Sequence, residues 1–234
     1  MKTLLDIDFT QTHILDDDIF NIAVGEKWAN NELQHYVNKP ENLFFTDEGL
    51  VLRATHPKAG IYESVRINTR DKFSFQYGEI KIRAKVPKGK GTWPALWMMS
   101  QENRYGHWPK SGEIDILEHV GRDANNLFLC LHTETYNHRN DEEYYTEYHL
   151  ENATTEFHDY GVRWTEETIT YIIDGNEIVT YSKYDKADSS HKGWPFHQPF
   201  YLIMNLAIGG KFGGPVDDSI FPKDFIIKRI TVVQ

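Results

Sequence analysis

An all-β sandwich is the fold class this sequence predicts, on three observations. Apolar residues recur with period two in short windows. Turn residues punctuate those windows, and no long amphipathic helical stretch interrupts them. The 234 residues suffice for a sizeable core and read as one domain spanning 1–234, with no linker, repeat or low-complexity segment. In order, GLVLRAT (49–55) is the first clear strand candidate. GEIKIRAKVP (78–87) sets Ile80, Ile82, Ala84 and Val86 on one face and Glu79, Lys81, Arg83 and Lys85 on the other. FHDYGVRW (157–164) follows. TITYIIDGNEIVTY (168–181) reads as a hairpin turning at Asp174-Gly175. SKYDKADSSHKG (182–193) reads as a polar loop with at most one helical turn, and FYLIMNLAIGG (200–210) and FIIKRITVV (225–233) close the set.

Composition narrows the function. Against 35 Asp+Glu stand 25 Lys+Arg, a net charge of −10, which disfavours a nucleic-acid binder in need of a basic stripe and suits a neutral ligand. Aromatic residues make up 14% of the chain, more than a core demands, leaving some for a binding surface. Cys130 is the only cysteine, so no intramolecular disulfide forms. No apolar run reaches membrane-spanning length. The start, MKTLLDIDFT, lacks a signal-peptide pattern, so the expected compartment is the cytoplasm, or outside the cell if a leader was removed. A monomer is expected.

The most informative stretch is SGEIDILEHVG (111–121). Residues two apart on a strand share a face and lie about 6.7 Å apart, so Glu113 and Asp115 point together. Glu118 has the wrong parity and would enter the core beside Ile114 and Ile116, where an unpaired carboxylate is costly. A β-bulge at Ile116-Leu117 would return it to the face of the other two acids. One reading is a solvated acidic strand, although adjacent like charges repel. Another is a hard-cation site, although a rigid strand wraps an ion poorly. The third is glycoside hydrolysis, in which two carboxyls flank the scissile bond, about 5–5.5 Å apart in the retaining arrangement. Packing three acids together also separates their pKa values. Upstream lie Trp93, Trp97 and Trp108, whose indoles offer stacking surfaces for a sugar ring. Trp93 and Trp97 share parity, and one of them could belong to the core; Trp108 sits in a polar loop and is the better cleft candidate.

GTWPALWMM followed by WPKSGEIDILEHVG resembles the signature of glycoside hydrolase family 16, in its laminarinase-like branch. WANNELQHYV (28–37), YESVRINTR (62–70), YGEIKIRAKVPKGKGTWPALW (77–97), FHDYGVRWTEETITYIIDG (157–175) and MNLAIGG (204–210) resemble family segments in the family's order. The resemblance implies a jelly roll of two curved antiparallel sheets with a cleft on the concave face. It implies Glu113 as nucleophile, Glu118 as acid/base and Asp115 as the group that orients Glu113. Asn31, Arg66, Trp108 and Asn205 match positions lining the donor side. His132 matches a histidine near the acid/base, and Asn137 and His138 lie in a loop that would reach the acceptor side. Arg66 and His132 also have structural readings, as a surface ion-pairing residue and a hydrogen-bonded histidine.

The chain departs from the family pattern at Lys228, which stands where a structural Ca²⁺ would take an Asp, so that site is expected weakened or absent; no cofactor is expected to be required. Phe212 stands where a Trp is frequent. Asp16, Asp17 and Asp18 could bind an ion or form a solvated turn. The expected activity is endo-acting, retaining hydrolysis of β-1,3- or mixed β-1,3/1,4-glucan, with a polysaccharide as the only expected partner and neither nucleic acid nor membrane. The alternatives are a red-algal galactan hydrolase, a transglycosylase and, from another class, a glucan-binding lectin or a calcium-dependent adhesion module. Intact motif acids argue against the lectin.

Overall fold

A computed structural model describes residues 2–234. Its strands form two sheets. Seven strands make the first, in the order Tyr144–His149, Asn126–His132, Glu113–His119, Thr92–Ser100, Phe200–Ile208, Arg66–Asn68 and Asn21–Ala23. The second has ten. Its main path runs Asn176–Ser182, Thr168–Ile173, His158–Trp164, Gly78–Lys85, Lys223–Val233, Gly49–Lys58, Ile61–Ser64 and Gln34–Tyr36. Thr3–Asp8 pairs with Lys223–Val233, and Leu43–Thr46 with Gly49–Lys58.

Each strand predicted from period two is present. Ile80, Ile82, Ala84 and Val86 are all buried, as their alternation requires. The hairpin turns at Asp174 (φ 49°) and Gly175 (φ 80°), the two left-handed residues that a tight two-residue β-turn needs. Segment 182–193 is a loop that ends in a single turn, where the Ser190 carbonyl accepts from Gly193 N at 3.1 Å and from Trp194 N at 2.8 Å. Two features escaped the period-two reading. Gln34–Tyr36 pairs in parallel with Ile61–Ser64, so the sheets are not wholly antiparallel. The 200–210 strand stops at Ile208, and a single helical turn, Gly210–Gly213, follows.

The inner faces of the sheets share one core. Ile114, Ile116 and Leu117 from the acidic strand belong to the same buried cluster as Ile82, Tyr160 and Trp164 from the other sheet. Trp164 and Trp194 are its largest fully buried side chains; Trp164 Nε1 donates to the Phe196 carbonyl at 3.0 Å, and its ring meets Phe75, Tyr77 and Phe200 edge-on. Trp164→Ala is expected to cost about 3–5 kcal/mol, a fall of roughly 6–20 °C in melting temperature for a chain of this size. Calorimetry checks it, and an unchanged midpoint would remove this residue from the core account.

Candidate active site

The outer face of the seven-stranded sheet carries the site. Against the strand Asn126–His132, Asp115 pairs with Cys130 and Glu118 with Phe128, so Ile116 and Leu117 together oppose Leu129 alone. This is the bulge that the broken parity required. Two successive side chains, Ile116 and Leu117, turn into the core, both buried, and Glu118 returns to the face of Glu113 and Asp115. Gly121 ends the run where the strand passes against the 87–91 turn. A Cβ there would stand 2.1 Å from Thr92 Oγ1 and 2.3 Å from the Gly89 carbonyl, so only glycine permits this approach.

Neighbouring strands complete the floor by register. Met99 and His132 flank Glu113, Trp97 and Cys130 flank Asp115, and Ala95 and Phe128 flank Glu118. One strand further, Asn205 lies beside Ala95 and Ala207 beside Trp93. Two adjoining cavities occupy this face. Trp28, Arg66, Trp97 and Asn205 line one; His132, Glu143, Tyr145 and Phe212 line the other; the three acids lie at the junction, shared by both.

The acids differ in their partners. Glu113 accepts from Trp108 Nε1, and the Asp115 carboxyl and the Arg66 charge also act on it. Burial raises its pKa, and these three contacts oppose the rise. Asp115, only 3% exposed, is held well above the usual carboxylate range, first by burial and then by the charges of Glu113 and Glu118. Burial, followed by repulsion from Glu113, pushes Glu118 up to about 8. Trp93 Nε1 donates to Glu118 Oε1 at 3.0 Å and works against that rise. At neutral pH the arrangement holds a proton on Glu118, the state an acid needs. Activity that needs protonated Glu118 is therefore lost as pH rises through about 8, and activity that needs ionised Glu113 is lost on acidification. Trp93→Phe removes a donor that favours the Glu118 carboxylate, so the alkaline limb of kcat/KM is expected to move to higher pH. A limb that stays put or moves down would contradict this wiring.

Around the acids, Arg66 lies between two indoles, its guanidinium carbon 5.0 Å from the Trp28 ring centre and 4.9 Å from that of Trp97. Trp97 Nε1 donates to Asn205 Oδ1 at 2.7 Å, and Asn205 Nδ2 donates to the Tyr36 hydroxyl at 3.0 Å. Trp93 and Trp97 both face the cleft, so neither is a core residue of the sandwich. Trp108 is packed by His138, at 5.3 Å between ring centres, and by the Arg139 guanidinium at 4.6 Å. Burial pushes His132 down to about 4, leaving a neutral imidazole whose Nε2 lies 3.4 Å from Asp115 Oδ2.

Two expected lining residues lie elsewhere. Asn31 is exposed and outside the cleft; its neighbour Asn30 lines it instead. Both asparagines adopt left-handed backbone angles (φ 59° and 58°), which turns the first inward. Asn137 is buried and spends its amide on its own loop. Nδ2 donates to the Thr133 and Glu134 carbonyls at 2.9 and 3.2 Å, and Oδ1 accepts from Arg139 N at 3.0 Å. It shapes the loop that presents His138 and Arg139. Sequence reasoning missed Trp28, Glu32 and Arg139 on one side, and Glu143, Tyr145 and Lys211 on the other. Trp28 and Glu32 stand in the quoted 28–37 segment, where their residue types were the available signal.

Lys228, where the resemblance places a calcium-binding Asp, packs its Nζ 5.3 Å from the Phe157 ring centre, and Lys85 Nζ lies 4.8 Å from the same ring. At the N-terminal acidic run, Asp16 Oδ1 accepts from Asp18 N at 2.9 Å and closes a local turn.

Comparison with known proteins agrees with this geometry. The profile of Glycosyl hydrolases family 16 matches residues 29–218. A β-glucanase of Rhodothermus marinus is 38% identical over 237 residues, covering 97% of this chain and 83% of its own. The crystal structure of a laminarinase from Flavobacterium sp. UMI-01 superposes with a TM-score of 0.91 at 36% identity, covering 100% of both chains. That of SCLam, a non-specific endo-β-1,3(4)-glucanase, superposes at 0.90 with 32% identity, covering 100% of this chain and 91% of its own. A profile spanning most of the chain, relatives above 30% identity and a matching jelly-roll sandwich make this chain a member of glycosyl hydrolase family 16.

Proposed function

We propose that this chain is an endo-acting, retaining β-glucanase that hydrolyses β-1,3- or mixed β-1,3/1,4-linked glucan. The observation that carries the reading is the bulge-built triad: Glu113, Asp115 and Glu118 on one face, at the junction of two cavities. Acids at a junction have room for sugar on both sides, which suits attack within a chain rather than at its end. The indoles of Trp28, Trp93, Trp97 and Trp108 suit the apolar faces of neutral sugars. The glucanase and laminarinase activities of the relatives support a β-glucan as the substrate.

In the first half of the cycle the Glu113 carboxylate attacks the anomeric carbon, and Glu118 gives its proton to the departing glycosidic oxygen. Negative charge leaves Glu113 as the glycosyl ester forms. In the second half, Glu118, now a carboxylate, takes a proton from water as that water attacks from the face the leaving group vacated. Asp115, two residues along the same strand face, orients Glu113. Two inversions return the β-anomer.

The test is a product profile on laminarin, barley mixed-linkage glucan, cellulose, agarose and κ-carrageenan. Short oligosaccharides from laminarin or barley glucan are expected early in the reaction. Products from a galactan alone would replace the substrate. Glucan binding with no products from any polymer would make the protein a lectin and overturn the reading.

A further inference from the structure

We propose that Asp115, Cys130 and His132 form an inhibitory site for one thiophilic divalent cation of the zinc class, on the floor of the cleft. The three side chains offer a carboxylate oxygen, a thiol sulfur and an imidazole nitrogen, all within 4.8 Å of one another. Register places them there: Cys130 pairs with Asp115 across adjacent strands, and His132 follows two residues on, on the same face. The donors therefore rest on the rigid centre of a sheet rather than on a loop.

Two further observations point to a ligand. Asp115 and His132 are 3% and 7% exposed, yet Asp115 Oδ2 and His132 Nδ1 have no hydrogen-bond partner. Buried polar atoms are ordinarily satisfied. His132 Nε2 and Asp115 Oδ2 stand 3.4 Å apart with no hydrogen bond between them. The second cavity of the cleft opens onto all three residues and leaves room for a fourth ligand, such as water.

The donor set selects the cation. Calcium and magnesium take oxygens, six or more for calcium. One sulfur, one nitrogen and one oxygen suit zinc, at bond lengths of about 2.0–2.3 Å. Such bonds need the donors drawn inward from their present spacing, a movement of side-chain torsions on a fixed backbone. Binding releases the thiol proton to solvent. The cation then occupies Asp115 and stands in the cavity that Glu113 and Glu118 also line. Inhibition rests on the proposed hydrolysis; the binding site does not.

The test uses the metal-free protein. Calorimetric titration with Zn²⁺ is expected to show one saturable site per chain. Co²⁺ in its place is expected to give the near-ultraviolet charge-transfer absorption of a cobalt–thiolate bond. Cys130→Ser should lose that absorption and bind Zn²⁺ more than ~100-fold more weakly, since even groups outside the first coordination shell are worth about 10–100-fold. His132→Gln provides a second variant with the thiol intact, and circular dichroism verifies that both fold. Zn²⁺ should suppress laminarin hydrolysis by the wild type, reversibly with EDTA, and leave Cys130→Ser at its own metal-free rate. No saturable site, or undiminished affinity in Cys130→Ser, would overturn the site. Zinc bound without loss of rate would overturn the inhibition. Absence of any rate in metal-free protein counts against the proposed hydrolysis, and the binding measurements are read regardless.

Discussion

Glu113→Ala is expected to lower kcat/KM on laminarin by at least ~10⁴-fold, the scale seen when a covalent nucleophile is removed, with little change in melting temperature. The side chain lies in a cleft rather than in the core, so its removal leaves no packing defect. The one hydrogen bond lost with it is that from Trp108 Nε1, at the rim of the cleft rather than in the core. Azide is expected to restore turnover of an activated β-glucanoside by entering the space the carboxylate left. The product is then an α-glycosyl azide, because a single displacement inverts the anomeric centre. Unfolding of the variant would mark Glu113 as structural. A β-azide would place the nucleophile elsewhere.

Glu118→Ala has the second-largest expected effect, about 10²–10⁴-fold on a natural glucan, the usual worth of a positioned general acid. The loss should depend on the leaving group. A glucan alcohol needs the proton, whereas a dinitrophenolate does not. On a dinitrophenyl glycoside the first step is therefore expected to run at near wild-type rate and the glycosyl-enzyme to accumulate, since no base activates water. Azide, which needs no base, should then release a β-glycosyl azide. A uniform loss across leaving groups would contradict the acid/base role and point to damage at Glu113 instead. The opposite stereochemistry of the two azide products separates the roles without reference to either variant's stability.

Much of this was legible because alternation is local. Glu118 disclosed the bulge through parity alone: a carboxylate at that position belongs either in the core, which is costly, or on the cleft face, which needs one extra residue. The same logic placed Ile80, Ile82, Ala84 and Val86 inward and found the Asp174-Gly175 turn. What remained hidden depends on the third dimension. Which of two adjacent asparagines faces the cleft is decided by two left-handed residues in a short turn, and sequence assigned Asn31 where the fold turns in Asn30. Asn137 looked like a contact residue, and the closure of its own loop consumes its amide. Arg139 lies in a polar loop with no periodic signal and reaches the cleft only because that loop folds over Trp108. The parallel pairing of Gln34–Tyr36 joins two three- and four-residue strands, too short for period to report a partner. Trp93 and Trp97 share one parity; the register with Ala207 and Ile203, rather than their hydrophobicity, sets both on the cleft face.

The assignment of Glu113 as the nucleophile, with Asp115 and a protonated Glu118 beside it, is the claim on which the rest depends. Mass spectrometry of the peptide containing residues 113–118, after inactivation with a 2-deoxy-2-fluoro-β-glucanoside bearing a good leaving group, tests it most directly. The fluorine slows release of the glycosyl-enzyme more than its formation, so the ester persists through digestion. The expected result is one fluoroglycosyl adduct per chain, on Glu113. An adduct on Asp115 or Glu118, or an enzyme that turns over glucan while never acquiring a label, would contradict the account.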